Sequence, residues 1–181
     1  LEAPPAHGGA AAIDIATVRA VIDHVLAAGR EMLSEPEAKA LLAACGIPIV
    51  PTRTCAPSAE AAAQMAREVG YPVVLKVLSP QITHKSDVGG VALNLTDARQ
   101  VRSAVMAMQR RVAAARPDAR IEGFAVQPMV RRPRAIELIA GTHVDAVFGP
   151  VILFGAGGTS VEVVADRALA LPPLNAPLAR A

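Results

Sequence analysis

The sequence predicts an α+β fold of two α/β sublobes, and three observations indicate it. Apolar residues recur at helical spacing in the first third of the chain and again after residue 96. Short runs rich in β-branched residues lie between and after these stretches and are typical of strands. These runs do not alternate regularly with helices, which argues against a repeated βαβ unit. A chain of 181 residues is long enough to bury such a core.

The first two helices are predicted from their apolar spacing and their caps. Residues 13–33 place apolar side chains near helical spacing and predict the first helix. Ser34 begins the second, because Ser34 and Glu37 fit a capping box and Gly46 stands where a C-terminal cap belongs. The prolines of the next segment, "IPIVPTRTC", favour an extended chain at the edge of a sheet.

A third helix and two strands are predicted next. Ser58 begins the helix and Gly70 ends it. The runs "YPVVLKVL" and "GVALNL" are predicted strands on their β-branched content. In the second of them we expect the side chains of Val91, Leu93 and Leu95 to share one face.

A long helix is predicted after Thr96, which is placed to cap its first turn. Its buried stripe is expected to consist of Val101, Val105, Met108 and Val112. Four short strands then follow in succession: "GFAVQPMV", "AIELIAG", "PVILFG" and "SVEVVA".

The composition excludes several classes of function. A net charge of +2 is too small to favour nucleic acid or an anionic membrane, and 2% aromatic residues weaken any base-stacking role. No apolar run approaches the roughly 20 residues of a membrane helix. Cys45 and Cys55 lack metal-ligand spacing, and two cysteines are too few for a disulfide framework in a chain of this length. This cysteine usage favours a protein of the reducing cytoplasm. We therefore expect neither nucleic acid nor a membrane as a partner.

The ends of the chain indicate how it is divided. Its first residues are rich in proline, alanine and glycine, as flexible linkers are, and they begin with leucine. We expect a piece of a longer protein, divided into a linker (1–12), a leading helix (13–33), a main domain (34–175) and a tail (176–181).

Lys76 lies inside the apolar run "YPVVLKVL". In a strand over residues 73–78, Val73, Leu75 and Val77 point to one face, and Lys76 points to the other. One interpretation is an edge-strand lysine that discourages aggregation. The other is a cation that projects towards phosphate groups, for which a compact ammonium on a long stem is suited.

The loop over residues 79–90 favours the second interpretation, because it is rich in groups that bind anions. The Ser86 hydroxyl and the backbone of Gly89 and Gly90 are candidate donors to phosphate, and the Lys85 ammonium adds a further donor. A neutral imidazole is nucleophilic near pH 7, so His84 is a candidate acceptor of a phosphoryl group. No second histidine or cysteine stands at zinc-ligand spacing. A loop histidine without a catalytic role is the alternative.

The second half of the chain adds weaker candidates. Glu137, between apolar neighbours, is either a carboxylate in a ligand cleft or an exposed residue of an edge strand. Gly155, Gly157 and Gly158, followed by Glu162, predict a tight turn and are compatible with a ligand contact. No Gly-Lys-Ser/Thr follows, so this is not a phosphate-binding loop of the NTPase type. It also lacks the context of a dinucleotide fingerprint.

Several of these segments together resemble a known family. "LSEPEAKALLAACGIPIV", "GYPVVLKVLSPQITHKSDVGGVALNL", "VQPMV", "ELIAG" and "DAVFGPVILFGAGGTSVEVVADRALALPPL" are similar to the ATP-grasp domain of ADP-forming acyl-CoA (acetate–CoA) synthetases. The resemblance covers residues 34–175, and the "HKSDVGGV" block is its most specific part. "DRALALPPLN" looks most like bacterial forms fused to a CoA-ligase domain and often to a GNAT acetyltransferase.

The resemblance implies a role for several residues. In the family, acyl-CoA, ADP and phosphate exchange reversibly with carboxylate, CoA and ATP through phosphohistidine. His84 falls on the histidine that relays the phosphoryl group, and Lys76 on the lysine that contacts nucleotide phosphates. Val126 to Met129 fall on the adenine-binding segment, with Gln127 where related ligases often carry glutamate. Glu137 falls on a nucleotide-contacting carboxylate.

The resemblance also implies cofactors and partners. We expect ATP or ADP in a cleft between the sublobes, Mg²⁺ with ligands beyond the end of this chain, and the CoA-ligase domain of the same parent protein as partner. We also expect the C-terminal part of the fold to lie beyond this chain and the isolated piece to be inactive. The acyl substrate, the direction of the reaction and any oligomer stay open.

Two other functions stay open as well. One is a regulatory, ligand-binding module that controls a fused acetyltransferase. The other is an ATP-grasp ligase that joins a carboxylate to an amine, for which the His84 loop is not needed.

Overall fold

The computed structural model describes residues 13–157 and 167–174, together with Pro177 and Ala179. The described chain forms two compact units, one up to Arg131 and one from Arg132 onwards, which are called the N-terminal and C-terminal units below. Both contain antiparallel sheet, and the α-helices among the described residues belong to the first, so the prediction of an α+β fold in two parts is confirmed. None of the described helices is long and apolar enough to cross a membrane.

The N-terminal unit is a four-stranded antiparallel sheet with four helices. Its strand order is β1-β4-β2-β3, so β1 is an edge strand as the prolines before it predict. The elements are α1 (Ile15–Ala27), α2 (Glu35–Ala44), β1 (Arg53–Cys55), α3 (Ala59–Val69), β2 (Val73–Leu78), β3 (Val91–Leu95), α4 (Ala98–Ala115) and β4 (Gly123–Pro128).

The core of this unit lies between one face of the sheet and helices α3 and α4. Val73, Leu75 and Val77 of β2 are fully buried there, beside Phe124 and Val126 of β4. Helix α4 contributes the predicted stripe of Val101, Val105, Met108 and Val112. Because side chains alternate along a strand, Lys76 projects from the opposite face, as predicted.

Short polar caps fix the starts of the helices. Ser34 and Glu37 form the predicted capping box of α2, and the Ser58 hydroxyl accepts a hydrogen bond from the Ala61 amide at the start of α3. Helix α1 is shorter than the predicted 13–33, because the chain turns at Gly29, whose φ is +66°.

Two local predictions are wrong. Val91, Leu93 and Leu95 do not share a face: a bulge in β3 leaves Leu93 exposed, while Ala92 pairs with Leu75 beside the core. Asn94 takes a φ of +57° at this bulge. Thr96 is also not the cap of α4; the Asp97 carboxylate accepts the hydrogen bond from the Gln100 amide instead.

In the residues that the structure describes, the C-terminal unit contains a three-stranded antiparallel sheet in the order β5-β6-β7. Its strands are β5 (Leu138–Asp145), β6 (Gly149–Ala156) and β7 (Arg167–Ala170). Strand β5 begins after Glu137, later than predicted, and β7 lies in a segment for which no strand was predicted. The predicted strand "SVEVVA" lies outside the described residues.

Candidate functional site

Lys76 lies on an inner strand of the N-terminal sheet. Strand β2 is hydrogen-bonded to β4 on one side and to β3 on the other, so the edge-strand interpretation of Lys76 is wrong. Its ammonium donates a hydrogen bond to Glu35 Oε1 at 2.7 Å. Glu35 is the first residue of α2, which brings the start of that helix to the polar face of the sheet.

Three lysines surround the Glu35 carboxylate, and we call Lys39, Lys76 and Lys85 the lysine cluster. Lys39 lies one turn further along α2, with its Nζ 3.3 Å from Glu35 Oε1. Lys85, from the loop after β2, has its Nζ 3.9 Å from Glu35 Oε2. The four side chains are 17–24% exposed. A helix, a strand and a loop thus bring cations to a single carboxylate.

The cluster carries a surplus of positive charge. Burial raises the pKa of Glu35, but the hydrogen bond and charge of Lys76, together with Lys39, outweigh it and hold the pKa below its ordinary value. Glu35 is therefore ionised at neutral pH. Three ammonium groups against one carboxylate leave a formal charge of 3 − 1 = +2. Such a half-buried surplus attracts anions.

Gln127 lies beside the cluster. The Lys39 ammonium donates to Gln127 Oε1 at 2.8 Å and also to the Thr52 hydroxyl, which itself lies 3.2 Å from Gln127 Oε1. In the β2–β4 ladder Lys76 pairs with Ala125 and Val74 with Gln127, so Lys76 and Gln127 share one face of the sheet. The structure therefore brings these two predicted site residues together.

The loop that carries His84 is tied to the fold at both ends. Ile82 is buried, with 4% of its surface exposed, and Val77 N donates to Gly90 O at 2.9 Å. A side chain at position 90 would place its Cβ 2.6 Å from a methyl carbon of Val77, so only glycine fits. His84 itself is exposed between these anchors.

The two glycine amides of this loop serve its own turn. Gly89 N donates to Ser86 O at 3.0 Å and Gly90 N to Lys85 O at 2.7 Å. Gly89 has a φ of +64°, which glycine adopts readily. In this conformation neither amide is available to an anion, so a phosphate contact by Ser86, Gly89 or Gly90 stays a prediction.

A cavity of about 1320 Å³ opens beside the loop. Its walls come from the turn between α1 and α2, from Thr54 and Cys55 of β1, and from the chain after β2. Glu35 lies on one wall, and Thr83 and Lys85, which flank His84, lie on another. The cavity therefore connects the surroundings of His84 with the lysine cluster.

The remaining predicted residues take different places. Val126 is fully buried in the core, so its side chain does not face the polar side of the sheet, and Met129 N donates to Pro72 O at 2.8 Å. Glu137 is exposed in the C-terminal unit, where its carbonyl oxygen accepts from Gly157 N at 2.8 Å. Gly155 lies in β6 and pairs with Ile139 of β5, whereas Gly158 and Glu162 lie outside the described residues.

The described residues include no group of three histidine, cysteine or acidic side chains that fits a metal ion. They do not fit Mg²⁺ by themselves, since hard cations take several oxygen ligands. The lysine cluster fits an anion instead.

Prediction from sequence missed Glu35 and Lys39 and gave Lys85 only an auxiliary part, but a signal for all three was present. The chain contains 18 lysine and arginine residues, of which only three are lysine, and all three form the cluster. The other 18 − 3 = 15 basic residues are arginine. A chain that uses arginine everywhere else retains the compact ammonium only around Glu35.

Comparison with known sequences shows which family the chain resembles. Residues 24–181 match the model of a family described as ATP-grasp domain. The beta subunit of ADP-forming acetate–CoA ligase I from Pyrococcus furiosus is 38% identical over 161 residues, which are 89% of this chain and 68% of that subunit. The ADP-forming 4-hydroxybutyrate–CoA ligase of Nitrosopumilus maritimus is 38% identical over 90% of this chain, but only 23% of that longer protein is covered.

Solved structures give the same result. An acetyl-coenzyme A synthetase of Ca. Korarchaeum cryptofilum, in complex with coenzyme A and Ca-AMPCP, superimposes with a TM-score of 0.83 at 41% identity, over 90% of this chain and 69% of that one. Another structure of that synthetase contains a phosphorylated phosphohistidine segment. The chain therefore belongs to the ATP-grasp family and matches the ATP-grasp part of ADP-forming acyl-CoA ligases.

Proposed function

We propose that this chain is the nucleotide-binding part of an ADP-forming acyl-CoA synthetase, in which His84 relays a phosphoryl group between the nucleotide and a CoA-ligase domain. The observation that carries the proposal is the lysine cluster beside the His84 loop. Lys76 and Lys85 meet at one carboxylate, and Lys85 directly follows His84 in the chain.

The phosphoryl transfer needs a nucleophile and cations next to each other. In the direction that consumes ATP, a ring nitrogen of the neutral His84 imidazole attacks the γ-phosphorus. The bond from that phosphorus to the bridging oxygen breaks, its electron pair stays on ADP, and the imidazole loses its other proton to solvent. Lys76 and Lys85 stabilise the charge on the phosphate oxygens. The reverse sequence forms ATP from ADP and phosphohistidine.

The remaining parts of the proposed nucleotide site are the adenine contact, a carboxylate and Mg²⁺. Gln127 lies beside Lys39 on the face that carries Lys76, so the segment from Val126 to Met129 is the proposed contact for adenine. Glu137 is the proposed carboxylate of the C-terminal unit. A neighbouring structure is described with Mg-AMPPCP, and Mg²⁺ would accompany the nucleotide here by neutralising phosphate charge.

The partner follows from the chemistry of the relay. The relatives include one subunit of a multi-subunit ligase and domains of longer ligases. The proposed partner is a CoA-ligase domain that carries the acyl and CoA sites, either in the same parent protein or in a second subunit. A fused acetyltransferase is part of the same proposal and is supported only by the sequence resemblance near residues 166–175.

Labelling with ATP tests the relay. The intact parent protein is incubated with γ-labelled ATP and Mg²⁺, and we expect label that is lost in acid and retained in base, as phosphohistidine requires. His84→Ala should abolish both the label and synthetase turnover. His24→Ala, at an exposed histidine of α1, is the matched control and should leave both unchanged. Full turnover in His84→Ala would overturn the proposal.

A further inference from the structure

We propose that Glu35 is an internal anion that holds the place of the nucleotide's phosphates and is exchanged for them when the nucleotide binds. The inference rests on the proposed function, because that function supplies the competing anion. It goes further in assigning a role to Glu35, a residue outside the predicted site.

The hydrogen-bonding capacity of the lysine cluster is divided unequally. A lysine ammonium has three N–H donors. Lys39 faces three oxygen atoms, one each from Thr52, Gln127 and Glu35, so its donors are all used. Among the described residues, Lys76 and Lys85 each have Glu35 as their single partner. Lys39 thus fixes the position of the carboxylate, and the other two lysines keep donors for a ligand.

The carboxylate and a phosphate group compete for the same two ammonium groups. Glu35 Oε1 is hydrogen-bonded to Lys76 at 2.7 Å and Oε2 lies 3.9 Å from Lys85, so the anion occupies the space between them. An incoming polyphosphate that contacts both lysines meets this negative charge at close range. Like charges at such a distance repel, and the repulsion is strong in a half-buried site. Binding therefore requires that Glu35 gives up at least one of the two lysines.

The exchange also affects the histidine loop. The Glu35–Lys85 ion pair joins the start of α2 to the residue after His84. When a phosphate group takes Lys85 from Glu35, this connection is lost while the buried Ile82 still anchors the loop. The empty site thus keeps its lysines paired, and the occupied site releases the His84 segment from α2.

A binding experiment without Mg²⁺ tests the exchange. The affinity of the intact protein for tripolyphosphate and for ADP is measured by calorimetry in the presence of a chelator. Glu35→Gln keeps the shape of the side chain but removes its charge, and we expect the affinity for both ligands to rise about tenfold. Glu35→Ala should change it in the same direction. A merely structural role for Glu35 would not raise the affinity.

Two further variants make the test specific. Glu31→Gln removes an exposed carboxylate from the wall of the same cavity, where Glu31 has no ion pair among the described residues, and should leave the affinity unchanged. Adding Lys76→Gln to Glu35→Gln should cancel the gain, because the gain arises at Lys76. An unchanged or weakened affinity in Glu35→Gln overturns the exchange and leaves the proposed function standing. Failure of the wild-type protein to bind either ligand overturns both.

Discussion

At the scale of single residues, the site depends on which lysine has donors to spare. Lys39 is held by Thr52, Gln127 and Glu35, whereas Lys85 has one distant carboxylate as its partner in the part of the chain that the structure describes. Both carry the same charge within the same cluster. Their substitution should nevertheless have different consequences, because a lysine that satisfies three oxygen atoms supports the fold, and a lysine with free donors serves a ligand.

We expect Lys39→Met to lower the free energy of unfolding by about 1–3 kcal/mol, since Thr52 and Gln127 lose their partner at a half-buried position. Lys85→Met should lower it by less than about 1 kcal/mol but weaken ADP binding. Urea denaturation and ADP titration of both variants measure the two effects. Equal losses of stability in the two variants would contradict the division of roles.

At the scale of elements, the turn between α1 and α2 holds Glu35 in place. Arg30 closes this turn by a two-pronged ion pair with Glu37, at 2.6 and 2.9 Å, and Glu37 also accepts from the Ser34 amide. The hydrogen bond from Arg30 lowers the pKa of Glu37 to about 2, together with the bonds from Ser34 and against the effect of burial. The turn therefore places the start of α2 where Glu35 meets the lysines.

The lowered pKa of Glu37 predicts a pH dependence of stability. A carboxylate with a depressed pKa stabilises the fold above its ordinary pKa of 4.5, and this contribution is lost as the pH falls from there to about 2. Glu37→Gln should cost about 1 kcal/mol at neutral pH, and the difference from wild type should vanish towards pH 2. Urea denaturation between pH 2 and neutral pH measures the free energy of unfolding of both proteins. Substitution of an exposed carboxylate, Glu31→Gln, is the control. A difference in the free energy of unfolding between wild type and Glu37→Gln that stays constant at all pH values would contradict the lowered pKa of Glu37.

The elements also show what the sequence makes predictable. Capping boxes and apolar stripes are local signals, so α2, α3 and the buried face of α4 follow from them. The bulge in β3 depends on pairing with β2, which no local pattern records, and it reversed the expected face of Leu93. Strand β7 forms against β6 and was missed for the same reason.

The residues of the site were likewise predictable only where neighbouring residues in the chain carry the signal. Lys76 and His84 were predicted because their neighbours in the chain form a specific motif. Glu35 was missed as a site residue because it meets Lys76 across 41 positions of sequence and looks like an ordinary acidic residue in the first turn of a helix. The restriction of lysine to three positions was the one signal of the cluster that composition contained.

At the scale of the whole molecule, the N-terminal unit keeps its apolar core and its polar site on opposite faces of one sheet. Helices α3 and α4 cover the face of Val73, Leu75 and Val77, and the lysine cluster occupies the other face. Substitutions in the cluster should therefore leave the core intact. This separation makes a loss of phosphoryl transfer in such variants attributable to the site.

Mapping of the phosphorylated residue tests the central claim, that the lysine cluster and the His84 loop act as one phosphoryl-handling site. The intact protein is treated with ATP and Mg²⁺, digested at alkaline pH and analysed by mass spectrometry, together with Lys76→Gln. We predict phosphate on His84 in the wild type and at least about tenfold less of it in Lys76→Gln. Phosphate on another residue, or undiminished phosphate on His84 in that variant, would contradict the account.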